Sequence, residues 1–112
     1  MDLGLKGKHA IITGGSDGIG FAVADALAQE GVEVLICARD KEHVESSAKR
    51  IAESRSVKAI GVSCDVVKPE DIERTVSVAE SEFGQVEFLI NNAGTGTSET
   101  IMDAADEKWY RH

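Results

Sequence analysis

The chain has 112 residues, with twelve basic and twenty acidic side chains, a formal charge of −8 and a hydrophobic fraction of 42%. That is enough for one domain, which commonly runs to about 100–150 residues. No apolar run nears the roughly 18 residues of a membrane-spanning helix, and so much acid repels a polyphosphate backbone, so neither a membrane nor a nucleic acid is an expected partner.

The amino terminus lacks the basic-then-apolar layout of a secretory signal, and Cys37 and Cys64 are too few for a disulfide scaffold. A reducing, cytoplasmic setting is the expectation. The acidity is uneven: residues 1–66 carry eight basic and ten acidic side chains, residues 67–112 four and ten. There is no internal repeat, low-complexity tract or proline-rich linker, so residues 1–112 are expected to form one unit.

Apolar runs of strand length alternate with segments of helical period, which predicts successive βαβ units on a parallel sheet buried on both faces. The first strand is residues 9–13. After a glycine-rich turn, Ile19, Ala22, Val23, Ala26 and Leu27 recur at helical spacing and predict one buried stripe, ended by Gly31 in a left-handed conformation. The second strand, 34–38, is short and continuously apolar and stops at Arg39. Val44, Ala48 and Ile51 space a second helix. The third strand, 59–64, is followed by Asp65. Pro69 suits the first turn of a third helix, whose stripe is Ile72, Val76, Ala79 and Phe83 and whose end is Gly84. A fourth strand, 86–90, runs into Asn91-Asn92-Ala93-Gly94 and a polar loop over 95–100. Acids at the start of 103–110 predict one more helix start there. The order is βαβαβαβ and the beginning of an α.

Residues 13–20 read Thr13-Gly14-Gly15-Ser16-Asp17-Gly18-Ile19-Gly20, between a buried strand and an amphipathic helix. Small residues there let the backbone approach a pyrophosphate, and the open N–H groups of the helix's first turn face its charge. A turn that merely tolerates glycine is the plain alternative. A Walker-type loop is excluded because no Gly-Lys-Ser or Gly-Lys-Thr closes the run.

The Thr-Gly-x-x-x-Gly-x-Gly spacing resembles that of the short-chain dehydrogenase/reductase family. Asn91-Asn92-Ala93-Gly94 is similar to that family's second motif and Cys64-Asp65-Val66 to its adenine site. The motifs stand in the family's order at the ends of the first, third and fourth strands, and the resemblance covers essentially the whole chain. It implies an α/β fold, a Rossmann-type doubly wound parallel sheet represented by its first four strands. It further implies that Gly14, Gly18, Ile19 and Gly20 form the pyrophosphate turn, with Ser16 near the adenosine ribose. Asp65 would accept from the adenine amino group beside the backbone of Val66. Asn92, Ala93 and Gly94 would line the path of the nicotinamide-side ribose, and Asn91 would brace the sheet. A solvated strand-end acid is the plain alternative for Asp65, and a simple turn for the asparagines.

Arg39 bears on the cofactor. A ribose 2′-hydroxyl is usually held by an acid at the end of the second strand, whereas a 2′-phosphate suits a guanidinium. The resemblance puts the acid of the NAD users at about Ala38, which is neutral and small, and Arg39 follows it. NADP(H) is therefore favoured and NAD(H) stays open. Asp17 stands where NADP-preferring relatives often carry Lys or Arg, Asp40 could neutralise its neighbour, and Arg39 could be an ordinary surface charge. His9, His43 and His112 are far apart and joined by no cysteine at ligand spacing, so no metal site is expected. Cys37 and Cys64 fit small buried hydrophobes better than a redox pair. Trp109 and Tyr110 are expected to pack.

The family, as the resemblance implies, moves a hydride between nicotinamide and a carbonyl or alcohol. A tyrosine acts as acid/base, its pKa lowered by a nearby lysine, with a serine and an asparagine assisting. None of the four falls in these 112 residues; Tyr110 has only two residues after it and cannot open a Tyr-x-x-x-Lys motif. The expectation is the dinucleotide-binding half of an NADP(H)-dependent oxidoreductase acting on a small-molecule carbonyl or alcohol, truncated and inactive by itself. Its fourth strand would be an edge open to self-association or to the missing half. A non-catalytic dinucleotide-binding or dimerisation module is the alternative.

Overall fold

A computed structural model describes residues 4–92. Ala93 and Gly94, the 95–100 loop and the 103–110 segment lie outside the described residues. The elements are β1 (His9–Thr13), α1 (Gly18–Gln29), β2 (Glu33–Ala38), α2 (Lys41–Arg55), β3 (Ala59–Ser63), α3 (Pro69–Phe83) and β4 (Phe88–Asn91). All pairings are parallel and the strand order is β3-β2-β1-β4. The chain thus winds outward from β1 to β3, then returns past β1 to β4. This is the doubly wound Rossmann arrangement, with its reversal point between β1 and β4. None of its described helices is long and apolar enough to cross a membrane.

Successive side chains of a strand point to opposite faces, and the two cores follow that alternation. Ala10, Ile12, Val34 and Ile36 pack under α1 and α2 with Ala24, Ala28, Val44, Ala48 and Ile51. Ile11, Leu35 and Cys37 pack on the other face under α3 with Ile72, Val76 and Ala79. Because β1 and β2 are central and covered on both sides, they are apolar over 10–12 and 34–38, with polar residues only at their ends. The edge strands β3 and β4 are only half-buried.

Helices α2 and α3 bury the stripes that periodicity predicts, with Ser47 and Thr75 added and Phe83 only half-buried. Helix α1 does not. Ile19 is 73% exposed, and Ala22 and Ala26 face outward with it. The buried line is Gly20, Ala24 and Ala28, flanked by Phe21 and Leu27. Nearly every residue of α1 is apolar or glycine, so periodicity leaves its rotation open, and side-chain size decides it. A Cβ at Gly20 would lie 2.1 Å from the Gly14 carbonyl oxygen, so only this face can meet the sheet where the helix begins.

Arg55 closes α2 onto α1 with two hydrogen bonds to Asp25, at 2.9 and 2.8 Å. The guanidinium's hydrogen bond holds the Asp25 carboxyl below its ordinary range, outweighing desolvation. At the amino-terminal rim His9 lies between Glu33 and Glu87, each 3.2 Å from a ring nitrogen, and stacks on Phe83. That cluster ties β1, β2 and the approach to β4 at the end of the sheet opposite the glycine-rich turn.

Two outcomes are expected. Ala24→Leu should cost about 1–3 kcal/mol by overpacking, whereas Ala26→Leu should shift urea-unfolding stability by no more than about 0.5 kcal/mol; equal losses would return the buried face to the stripe read from periodicity. The depressed Asp25 contributes stability that is present above about pH 4 and lost as pH falls through its folded value. Asp25→Asn should therefore flatten the acid limb of a Tm-against-pH curve below about pH 4, with little change in its shape near neutrality.

Candidate functional site

The carboxyl ends of the strands form one rim, and Gly14, Ser16, Asp17, Gly18, Ile19, Gly20, Arg39, Asp65, Val66 and Asn92 all lie along it. The Gly14 N–H donates to the Cys37 carbonyl at 2.8 Å, with Gly15 more distant at 3.4 Å, which anchors the turn to the end of β2. Gly14 (φ 65°) and Gly18 (φ 56°) occupy the left-handed region that L side chains avoid, and between them the chain reverses into α1.

The first helical hydrogen bond is Phe21 N–H to the Asp17 carbonyl. The amides of Gly18, Ile19 and Gly20 therefore have no protein acceptor among the described residues. Asp17 occupies the N-cap position, yet its side chain caps none of them. Open amides at the positive end of a helix dipole form an anion site.

Helix α2 holds this turn from the side. The buried Ser47 hydroxyl donates to the Ser16 carbonyl at 2.9 Å, and His43 Nε2 lies 3.0 Å from Asp17 Oδ1. Sequence reasoning missed both residues. A serine on the apolar line of Val44, Ala48 and Ile51 was the available signal for Ser47; His43 offered none.

Between β1 and β4 the buried Thr13 hydroxyl donates to Asn91 Oδ1 at 3.0 Å and accepts from the Asn92 N–H at 2.8 Å. Asn91 thus ties β4 to β1. Asn92 lies against the start of α1, its Nδ2 2.9 Å from where a Gly20 Cβ would be. Thr13 was the opening letter of a motif in the sequence; in the fold it joins two strands.

On the other side of the turn, Arg39 is exposed and makes no ion pair among the described residues. Asp40 does not neutralise it. Its carboxylate instead caps α2, accepting from the His43 N–H at 3.1 Å. Asp65 accepts from the Val67 N–H at 3.1 Å through Oδ1, while its own N–H donates to Asp71 at 2.9 Å. Oδ2 of Asp65 has no partner among the described residues, so the carboxylate is oriented but not used up. The hydrogen bond from the Asp65 amide, helped by Arg74, holds Asp71 below its ordinary range. Beneath this rim Cys37 and Cys64 are free thiols in the core around Ile11 and Leu35. Their mutual hydrogen bond and burial push the Cys37 thiol upward.

The sequence matches the short chain dehydrogenase family over residues 8–112. It is 40% identical over 90 residues to a sorbose reductase of Candida albicans, covering 80% of this chain and 32% of that protein. The fold superposes on an L-sorbose reductase from Gluconobacter frateurii complexed with NADPH and L-sorbose, with TM-score 0.82 and 45% identity over 97% of this chain and 41% of that one. It also superposes on NAD+-bound xylitol dehydrogenase, with TM-score 0.85 and 25% identity over 92% and 48% of the two chains. The chain spans less than half the length of the curated relatives it matches.

Thr13→Val keeps the shape of the side chain and removes its hydrogen bonds. It should destabilise the fold by about 1–3 kcal/mol in urea unfolding, the cost of leaving partly buried polar groups unpaired. A loss below about 0.5 kcal/mol would mean that the asparagines find water instead.

Proposed function

The chain belongs to the short chain dehydrogenase family, and we propose that it supplies the dinucleotide-binding half of an NADP(H)-dependent oxidoreductase acting on a carbonyl or alcohol. The observation that carries this reading is the set of open amides at Gly18, Ile19 and Gly20 on the strand-end rim. Their donors suit a pyrophosphate, and a Cβ at Gly18 would meet nothing within 4 Å, so its absence leaves open space for a ligand to approach the backbone.

Each residue then has a definite task. Gly18, Ile19 and Gly20 donate to the diphosphate, while Ser47 holds the turn in place through the Ser16 carbonyl. Asp65, oriented by the Val67 amide, accepts from the adenine amino group through its remaining oxygen, next to the Val66 backbone. Asn92, with Ala93 and Gly94 after it, lines the nicotinamide side. Arg39, which has no acidic partner among the described residues, meets the 2′-phosphate. The cofactor, when bound, supplies the hydride; the acid/base chemistry is assigned to the part of the relatives' length that this chain does not span.

The names of the sorbose reductases among the relatives support a small polar carbonyl compound as substrate class. NAD(H) is the second reading, favoured by the exposed carboxylate of Asp17 and by the NAD+-bound neighbour. Titration separates the two. Arg39→Ala should weaken NADPH binding by about 1–3 kcal/mol and leave NADH nearly unchanged, as expected for loss of one charge-assisted contact. Equal losses for both cofactors would remove Arg39 from that role.

A further inference from the structure

An acid in a phosphate-binding corner needs an explanation. Asp17 stands at the N-cap of α1, beside the open amides, with 81% of its side chain exposed. Left alone, it would repel any phosphate placed between the turn and Arg39, and its free oxygens would suit a ribose hydroxyl instead.

It is not left alone. A carboxylate only accepts hydrogen bonds, so the His43 Nε2 at 3.0 Å must carry the hydrogen and donate to Asp17. His43 is itself fixed, its backbone N–H donating to Asp40, the residue after Arg39. The Asp17–His43 pair therefore bridges the phosphate turn and the first turn of α2, which begins just after β2. In a doubly wound sheet this is the span along which the adenosine ribose lies. The second tie across the same gap, Ser47 to the Ser16 carbonyl, fixes the turn's backbone and leaves the carboxylate to His43.

We propose that His43 is a positioning residue that sets cofactor preference: by holding and offsetting the Asp17 carboxylate, it allows a 2′-phosphate to sit beside Arg39. Without His43 the same carboxylate is free to turn both oxygens into the corner, where it opposes the phosphate more strongly and accepts more readily from a 2′-hydroxyl. The proposal rests on the reading of this corner as a 2′-phosphate site.

The test is a double-mutant cycle on the full chain, with NADPH and NADH titrated separately against wild type, His43→Ala, Asp17→Asn and the double variant. His43→Ala should lower the ratio of NADPH to NADH affinity by about two- to fivefold. The same substitution made in Asp17→Asn should leave the ratio unchanged, because no carboxylate remains to be held. A general packing role for His43 would weaken both cofactors alike, and partial unfolding would also scale both, so the ratio is its own control. The proposal is overturned by an unchanged ratio in His43→Ala, or by an undiminished effect in the Asp17→Asn background. Wild type binding NADH more tightly overturns the NADP(H) reading and this proposal together; wild type preferring NADPH with no response to His43→Ala overturns this proposal alone.

Discussion

The structure depends on how closely α1 begins against the end of β1. The hydrogen at Gly20 occupies a place where a Cβ would lie 2.1 Å from the Gly14 carbonyl oxygen. Only glycine permits that approach, and the approach puts the positive end of the helix on the strand-end rim. From this follow the rotation of α1, with Ala24 and Ala28 continuing the line of small residues, and the outward position of Ile19. A larger residue at position 20 would push the helix away from the sheet and carry its open amides with it.

Those amides matter because the neighbouring polar atoms are already engaged. No buried side-chain nitrogen or oxygen among the described residues lacks a hydrogen bond. The Ser16 carbonyl is taken by Ser47, the Thr13 hydroxyl by both asparagines, and the Gly14 amide by Cys37. A rim whose other groups are fixed presents its few open donors in a set geometry. Binding then costs little reorganisation, which is the physical meaning of preorganisation.

The strands and their succession along the chain were legible in the sequence as short apolar runs between turn signals, clearest for β2, which is covered on both faces. The 9–13 run coincides with β1, and the other three strand predictions differ from the observed ends by a residue or two. The stripes of α2 and α3 were legible because charged residues fill their outer faces. Helix α1 was not: its composition gives no contrast between faces, and a steric contact with a residue six positions earlier sets its rotation. In the site, the glycine turn is a local feature that spacing reveals and Arg39 is read from its place at a strand end, whereas Asp65 and Asn92 were read through the resemblance to a family. The ties that hold them are not local. Ser47 and Ser16 are 31 positions apart, His43 and Asp17 26, Thr13 and Asn91 78. Only the fold brings such pairs together. Asp40 is the intermediate case, because an Asp just before a helical stretch is a cap signature that competes with its reading as a partner for Arg39.

The same pairing resolves an electrostatic conflict. A chain of formal charge −8 is a poor partner for a polyanion if its charge is treated as uniform. Screening limits the reach of exposed charges to about 8–10 Å at ordinary ionic strength, so the rim responds mainly to the groups upon it. There Asp40 is turned to the α2 amide, Asp71 to the Asp65 amide and Arg74, one oxygen of Asp65 to Val67, and Asp17 to His43. Arg39 and the first-turn amides of α1 have no such counterpart among the described residues. Hydrogen-bond donors engage these acids, while Arg39 and the first-turn amides stay open, so donors for an anion are available at this edge of a strongly acidic protein.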